Sequence, residues 1–298
     1  MKRSVPDLGT AVMLLVTTLI WAGSFIFAKL GLREIPPITF ALLRFAIAFP
    51  VVTLFLTRQT NEFNTRAIRK DLISFTGLAL SGVTLNFVFQ FYSLKFITAT
   101  AGAIVINTSV VFMTVFSAVF LGETMTWRKV TGVLIAFLGT FIVISKGDWG
   151  IFGIESMEMI GYILMIAACI CWAVYSILGK KVLEKYSPTF VTAVVFGLGT
   201  LYLVPFSIAE LPWANLFGIS LLGWFSVFYL AIPCSALAYV LWYEGIRRLD
   251  VTKAAVFLYA VPVLTLILSH VFLGEMITYA IVCGAVLVIL GVHLTQTG

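Results

Sequence analysis

Long apolar runs separated by short polar punctuation set the pattern of this chain. Ten runs read as helices, over 8–30, 38–57, 71–92, 97–121, 128–145, 158–179, 188–208, 215–243, 251–273 and 277–296. A membrane-spanning helix needs about 20 apolar residues. These runs are too long for strands, and they do not alternate apolar with polar positions. In lipid a helix also satisfies its own backbone polar groups. Ile35-Pro36-Pro37, Ser187-Pro188 and Leu211-Pro212 break the pattern, as do Gly122 and Gly274 in two very short turns. Turns that short make helices 4 and 5, and helices 9 and 10, antiparallel neighbours. The expected fold is an all-α integral membrane protein with ten transmembrane helices.

Composition sharpens this picture. Of 298 residues, 61% are hydrophobic and 11% are charged, against about 25% charged in an ordinary soluble domain. Mean hydropathy is +1.09. A soluble globule has too little interior to hide that much apolar surface, so a cytosolic enzyme, a nucleic-acid module and a disordered chain are excluded. The expected surroundings are the lipid bilayer of the cell membrane, with no nucleic-acid partner.

The net charge of +6 reads as orientation rather than nucleic-acid binding. With the N-terminus in the cytoplasm, 14 Lys and Arg residues fall on the inner side: Lys2, Arg3, Arg58, Arg66, Arg69, Lys70, Arg128, Lys129, Lys180, Lys181, Lys185, Arg247, Arg248 and Lys253. Only Lys29, Arg33, Lys95 and Lys146 fall outside, and Arg44 lies within a span. The positive-inside rule then puts both termini in the cytoplasm. Lys2 and Arg3 precede an apolar run with no small-residue cleavage site after it, which reads as an uncleaved first helix. Cys169, Cys171, Cys234 and Cys283 all lie in apolar stretches, where cysteine serves as a small hydrophobe.

The chain also resembles itself at an offset of 151–152 residues. Phe120-Leu121-Gly122-Glu123 recurs as Phe272-Leu273-Gly274-Glu275, and Gly132 and Gly139 recur as Gly284 and Gly291. Trp21-Ala22 recurs as Trp172-Ala173, and Lys29 as Lys180. Residues 92–145 and 244–297 share 14 identities in 54 ungapped positions. Each half holds five helices, an odd number, so the second half is expected to cross the membrane in the opposite sense. Inverted repeats of this kind are a transporter plan, with solute bound near the midplane between the halves.

These residues carry a resemblance to a known family. Tyr92-Ser93-Leu94-Lys95 through Phe120-Leu121-Gly122-Glu123 resembles one EamA-type repeat of the drug/metabolite transporter superfamily. Trp242-Tyr243-Glu244-Gly245-Ile246-Arg247-Arg248 through Pro262 to Leu273-Gly274-Glu275 resembles a second. Trp21-Ala22-Gly23-Ser24-Phe25 and Phe40-Ala41-Leu42-Leu43-Arg44-Phe45 fit the first repeat as well. The resemblance implies two repeats, 8–145 (helices 1–5) and 158–296 (helices 6–10). It also implies small-molecule transport, often export. The family often has a proline before the helix that ends in the Gly-Glu turn; Pro262 supplies it in the second half, and Val110 stands there in the first.

Polar and aromatic residues inside the apolar runs are the candidate substrate-binding set. Helix 1 puts Trp21, Ser24 and Phe25 on one face by 3–4 spacing, and helix 6 does the same with Trp172, Tyr175 and Ser176. Amides are costly to leave unpaired in hydrocarbon, which singles out Asn86, Gln90 and Asn107. Tyr239, Trp242 and Tyr243 near the end of helix 8 and Tyr259 in helix 9 form a second aromatic set, with Tyr259 aligned to Asn107 in the repeat. Arg44 is the one strongly charged residue well inside a span, a position that either contacts solute or pairs structurally. Lys29 and Lys180 are expected to snorkel from helix ends. Glu123 and Glu275, beside Gly122 and Gly274, are expected to cap neighbouring helix N-termini.

The sequence calls for no catalytic group, metal or cofactor. It has no H-E-x-x-H and no G-x-S-x-G, and His270 and His293 have no partner at ligand spacing. The competing readings are a non-transporting membrane receptor or scaffold, and a membrane-embedded enzyme. The favoured reading is an exporter of amino acids or related amphipathic solutes; the sequence leaves its oligomeric state open, a monomer included.

Overall fold

A computed structural model describes residues 7–59, 65–122, 125–146, 156–210, 215–249, 254 and 256–297, and among these it is helical with no strand. The main helices are α1 (Leu8–Gly31), α2 (Pro37–Gln59), α3 (Leu72–Phe96), α4 in two pieces (Ala99–Ile106 and Ser109–Leu121) and α5 (Trp127–Ile144). Then follow α6 (Ser156–Val182), α7 (Pro188–Ile208), α8 (Leu221–Arg248), α9 (Ala260–Leu273) and α10 (Tyr279–Thr297). Eight are long and apolar enough to cross a membrane, while α9 and Tyr279–Leu294 of α10 are shorter apolar helices.

Local chemistry sets the helix ends. Thr98, Thr126, Ser187 and Ser220 each accept a backbone N–H at the start of α4, α5, α7 and α8. Gly122 and Gly274 stop α4 and α9 with φ of 70° and 66°, a left-handed turn that glycine adopts without a Cβ penalty. Glu275 then caps the N-terminus of α4: its carboxylate accepts the Ala99 N–H at 2.7 Å, the Thr100 N–H at 3.0 Å and the Thr100 hydroxyl at 2.6 Å. Glu123 lies outside the described residues.

The major contacts are reciprocal between the halves. α1 packs on α8 and α9, and α6 packs on α3 and α4. α2 packs on α7, α4 on α9, and α5 on α10, so each contact has a counterpart with the halves exchanged. The α5–α10 seam needs glycine. A Cβ on Gly139 would stand 2.7 Å from the Gly284 carbonyl oxygen, and one on Gly284 would stand 2.8 Å from that of Gly139. Such close backbone approach is the ordinary way helices associate in lipid.

Two polar latches join the halves at turns. Glu34, between α1 and α2, accepts the Ser220 N–H and hydroxyl at 2.7 Å each. These bonds hold its carboxyl below the usual range. Asp71, ahead of α3, accepts the Tyr186 hydroxyl at 2.9 Å and Lys185 at 3.4 Å, and the tyrosine bond leads in lowering its pKa.

Several expectations are corrected. The 97–121 run is interrupted at Asn107–Thr108. α8 starts at Leu221 and runs on to Arg248, whereas the pattern gave 215–243. The continuous α-helix Ala260–Leu273 directly follows a 3-10 turn over Val256–Tyr259, so the 251–273 run is not one unbroken α-helix. Lys29 and Lys180 turn inward onto backbone carbonyls instead of snorkelling. The last carbonyls of the neighbouring helices have no partner within their own helix and accept the two ammonium groups there.

Candidate functional site

A cavity of about 90 Å³ lies where the two halves meet. α1 contributes Trp21, Ser24 and Phe25; α2 contributes Arg44; α3 contributes Asn86, Phe87 and Gln90. Ile106, Asn107 and Ser109 come from α4, Trp172 from α6, Tyr239 from α8, and Leu258 and Val261 from the α9 region.

Helix irregularities build its walls. α4 breaks at Asn107–Thr108, where Thr108 N–H bonds three residues back to Val105. The Val105 carbonyl is also taken by the Thr108 hydroxyl at 2.6 Å and by Cys169 Sγ of α6 at 3.2 Å. At the matching place before α9, the Phe257 carbonyl accepts the Thr18 hydroxyl of α1 at 3.0 Å. Thr18 and Cys169 are 151 residues apart, as are Trp21 and Trp172. Asn107 Nδ2 then donates across to the Leu258 carbonyl at 3.1 Å, joining one break to the other.

π-helical segments at Leu80–Thr84 in α3 and Ile232–Leu237 in α8 do related work. Such bulges offset the backbone ladder and leave carbonyls for side chains. Tyr239 donates to the Gly82 carbonyl at 3.2 Å, and Trp21 Nε1 to the Cys234 carbonyl at 3.0 Å. Gly82 and Cys234 are 152 residues apart. Pro233, which has no N–H, opens the second bulge.

The aromatic floor is tightly arranged. The Trp21 and Trp172 rings meet edge-on with centroids 5.4 Å apart. Tyr239 lies 6.0 Å from Trp21 and 5.6 Å from Trp172. Edge-on rings are a favoured aromatic geometry. Arg44 is 3% exposed. Its Nε donates to the Ser235 hydroxyl at 2.6 Å, and its guanidinium carbon stands 4.2 Å above the Phe87 ring. Among the described residues Arg44 makes no ion pair, and its remaining donors meet no protein acceptor.

Of the candidate residues, Trp21, Ser24, Phe25, Arg44, Asn86, Gln90, Asn107, Trp172 and Tyr239 line this one cavity. Tyr175, Ser176 and Trp242 do not. They are buried behind the wall, where Tyr175 stacks on Tyr243 with centroids 5.0 Å apart and Trp242 packs 5.7 Å from Trp21. A helix apolar on every side does not disclose which face turns to the cavity. The Tyr259 side chain lies outside the described residues. Phe87, Ile106, Leu258 and Val261 line the cavity without having been singled out; Phe87 matches Tyr239 and Ile106 matches Leu258 at an offset of 152, a signal within the repeat. Among the described residues no group of three or more His, Cys, Asp or Glu side chains is gathered for a metal.

A bundle of apolar helices around a small polar and aromatic cavity defines a multi-pass membrane protein. The profile of the EamA-like transporter family matches residues 8–145 and again 159–297, and the chain belongs to that family. An uncharacterized transporter of Archaeoglobus fulgidus is 39% identical over 290 residues, covering 96% of both chains. A protein of Escherichia coli named a probable amino-acid metabolite efflux pump is 26% identical over 296 residues, covering 96% of this chain and 94% of its own. A solved crystal structure, 21% identical, superposes with a TM-score of 0.69 over 97% of this chain and 96% of its own, and so shares the fold.

Proposed function

We propose that this protein is a secondary transporter that exports amino acids or related amphipathic metabolites by alternating access at the central cavity. Ten helices form two inverted five-helix repeats, 8–145 and 158–296, with both termini in the cytoplasm of the plasma or inner membrane. The observation that carries this reading is the meeting of two interrupted helices, α4 and the start of α9, at repeat-related positions on one cavity, tied by Asn107 and the Leu258 carbonyl. Broken helices paired in this way are where transporters hold their solute. The reciprocal contacts between halves support it, since halves that can exchange roles offer two near-equal arrangements. The name of the Escherichia coli relative supports the solute class.

In this orientation α6 and α8 end on the cytoplasmic side, so Tyr175, Trp242 and Tyr243 stand between the cavity and the cytoplasm. The inner side is then shut, and rocking of one half against the other parts the stacked tyrosines. Everted membrane vesicles offered a labelled metabolite panel test the reading. Uptake above that of empty vesicles is expected, and it is lost in Asn107→Leu and Trp172→Ala proteins that still fold. No uptake of any solute by the unmodified protein contradicts it.

A further inference from the structure

The cavity wall is chemically lopsided. Six of its eight aromatic and apolar members come in repeat pairs, Trp21 with Trp172, Phe87 with Tyr239 and Ile106 with Leu258; Phe25 and Val261 stand outside the pairing. Its cation and amides do not. At an offset of 151 Arg44 matches Val195, and at 152 Asn86 matches Ala238 and Asn107 matches Tyr259. The first half alone therefore supplies the ionic and amide groups.

Those groups are also incompletely satisfied. Arg44 is a buried guanidinium with one protein acceptor, Ser235, and no carboxylate partner among the described residues. A guanidinium presents five donors in a planar fork that matches a carboxylate. Asn86 Oδ1 and Asn107 Oδ1 are buried acceptors with no hydrogen-bond donor. Leaving such groups unpaired in a low-dielectric interior is costly. An occupant that brings an anion for the arginine and N–H donors for the two amides relieves all three.

We infer that the solute is read as a zwitterion: its carboxylate pairs with Arg44, its ammonium donates to the amide oxygens of Asn86 and Asn107, and its side chain lies against Trp21, Trp172 and Tyr239. This deepens the transport reading and rests on it. It assigns charge recognition to one half and side-chain tolerance to the aromatic pairs. A bare amine meets Arg44 as a like charge, and a neutral amide leaves the guanidinium unpaired.

Proteoliposomes of the full chain taking up labelled leucine test this, with unlabelled leucine, leucinamide, isoamylamine and 4-methylpentanoate as competitors. Leucine is expected to compete, and the three analogues to need on the order of 100-fold more. Arg44→Gln is expected to lose leucine uptake, and Arg44→Lys, which keeps the charge but not the fork, to retain part of it. Asn86→Leu is expected to narrow the gap between leucine and 4-methylpentanoate. If leucinamide competes as well as leucine while uptake proceeds, the carboxylate assignment falls and the transport reading stands. If labelled leucine, phenylalanine and threonine are all refused while another solute is moved, the zwitterion is wrong; if nothing is moved, both fall. The comparison of competitors in the unmodified protein decides the matter even where an Arg44 variant fails to fold.

Discussion

Lys29 and Lys180 make the same pair of bonds in the two halves of the chain. Lys29 Nζ reaches the Leu94 and Ile97 carbonyls at the end of α3, and Lys180 Nζ reaches those of Ile246 and Leu249 at the end of α8. Each cation closes orphan carbonyls at a helix C-terminus, where positive charge is favoured. Each also ties the first helix of its half to the third. Lys29→Met and Lys180→Met are therefore expected to destabilise the protein by similar amounts, roughly 2 kcal/mol each. Thermal unfolding in detergent checks this. A loss confined to one of the two breaks the equivalence.

Asn107 bridges the interruption of α4 to the start of α9. Asn107→Leu leaves the Leu258 carbonyl without that donor, at a cost of about 1–3 kcal/mol. The expected result is a folded protein whose transport falls at least about tenfold, a step that corresponds to 1.4 kcal/mol. Uptake per folded molecule in vesicles measures it, and unchanged uptake removes Asn107 from the site.

How much of this was legible beforehand depended on the kind of signal. Apolar runs of about 20 residues and the Gly122 and Gly274 turns marked the helices, because lipid tolerates little else. Trp21, Trp172, Arg44 and Asn107 stood out as polar or aromatic exceptions and do line the cavity. The interruption at Asn107–Thr108 and the two π-helical segments were not legible. They depend on partners far off in sequence, such as Cys169 for Val105 and Trp21 for Cys234. Tyr175 and Trp242 look like site residues on spacing alone, and only packing puts them behind the wall.

The α5–α10 seam lies apart from the cavity. Gly139→Leu drives a side chain into the α10 backbone at Gly284 and Val288. Overpacking of this sort costs about 1–3 kcal/mol, occasionally more. A lower melting temperature is expected, with the preference among solutes unchanged. A changed preference connects the seam to the site.

Glu34 holds the start of α8 through Ser220, and its carboxyl pKa is lowered by those bonds. A carboxylate with a lowered pKa contributes stability that is present above its ordinary pKa of 4.5 and is lost as pH falls through the lowered value. Melting temperature is expected to be flat in this respect above about pH 5 and to fall in acid. Glu34→Gln is expected to soften that acid-side fall. An identical acid profile in the variant excludes the latch.

Two-sided labelling of single cysteines tests the account most directly. In a background where Cys169, Cys171, Cys234 and Cys283 are replaced, Ser24→Cys on the cavity and Ser176→Cys behind its inner wall are exposed to a membrane-impermeant thiol reagent from one face at a time. One cavity that opens alternately predicts labelling of Ser24→Cys from either face, through the outward-open and inward-open arrangements in turn, and of Ser176→Cys from the cytoplasmic face only. A transported solute then moves the outer-face and cytoplasmic-face rates of Ser24→Cys in opposite directions. Labelling of Ser24→Cys from a single face, labelling of Ser176→Cys from the outer face, or rates that no solute alters, contradicts the account.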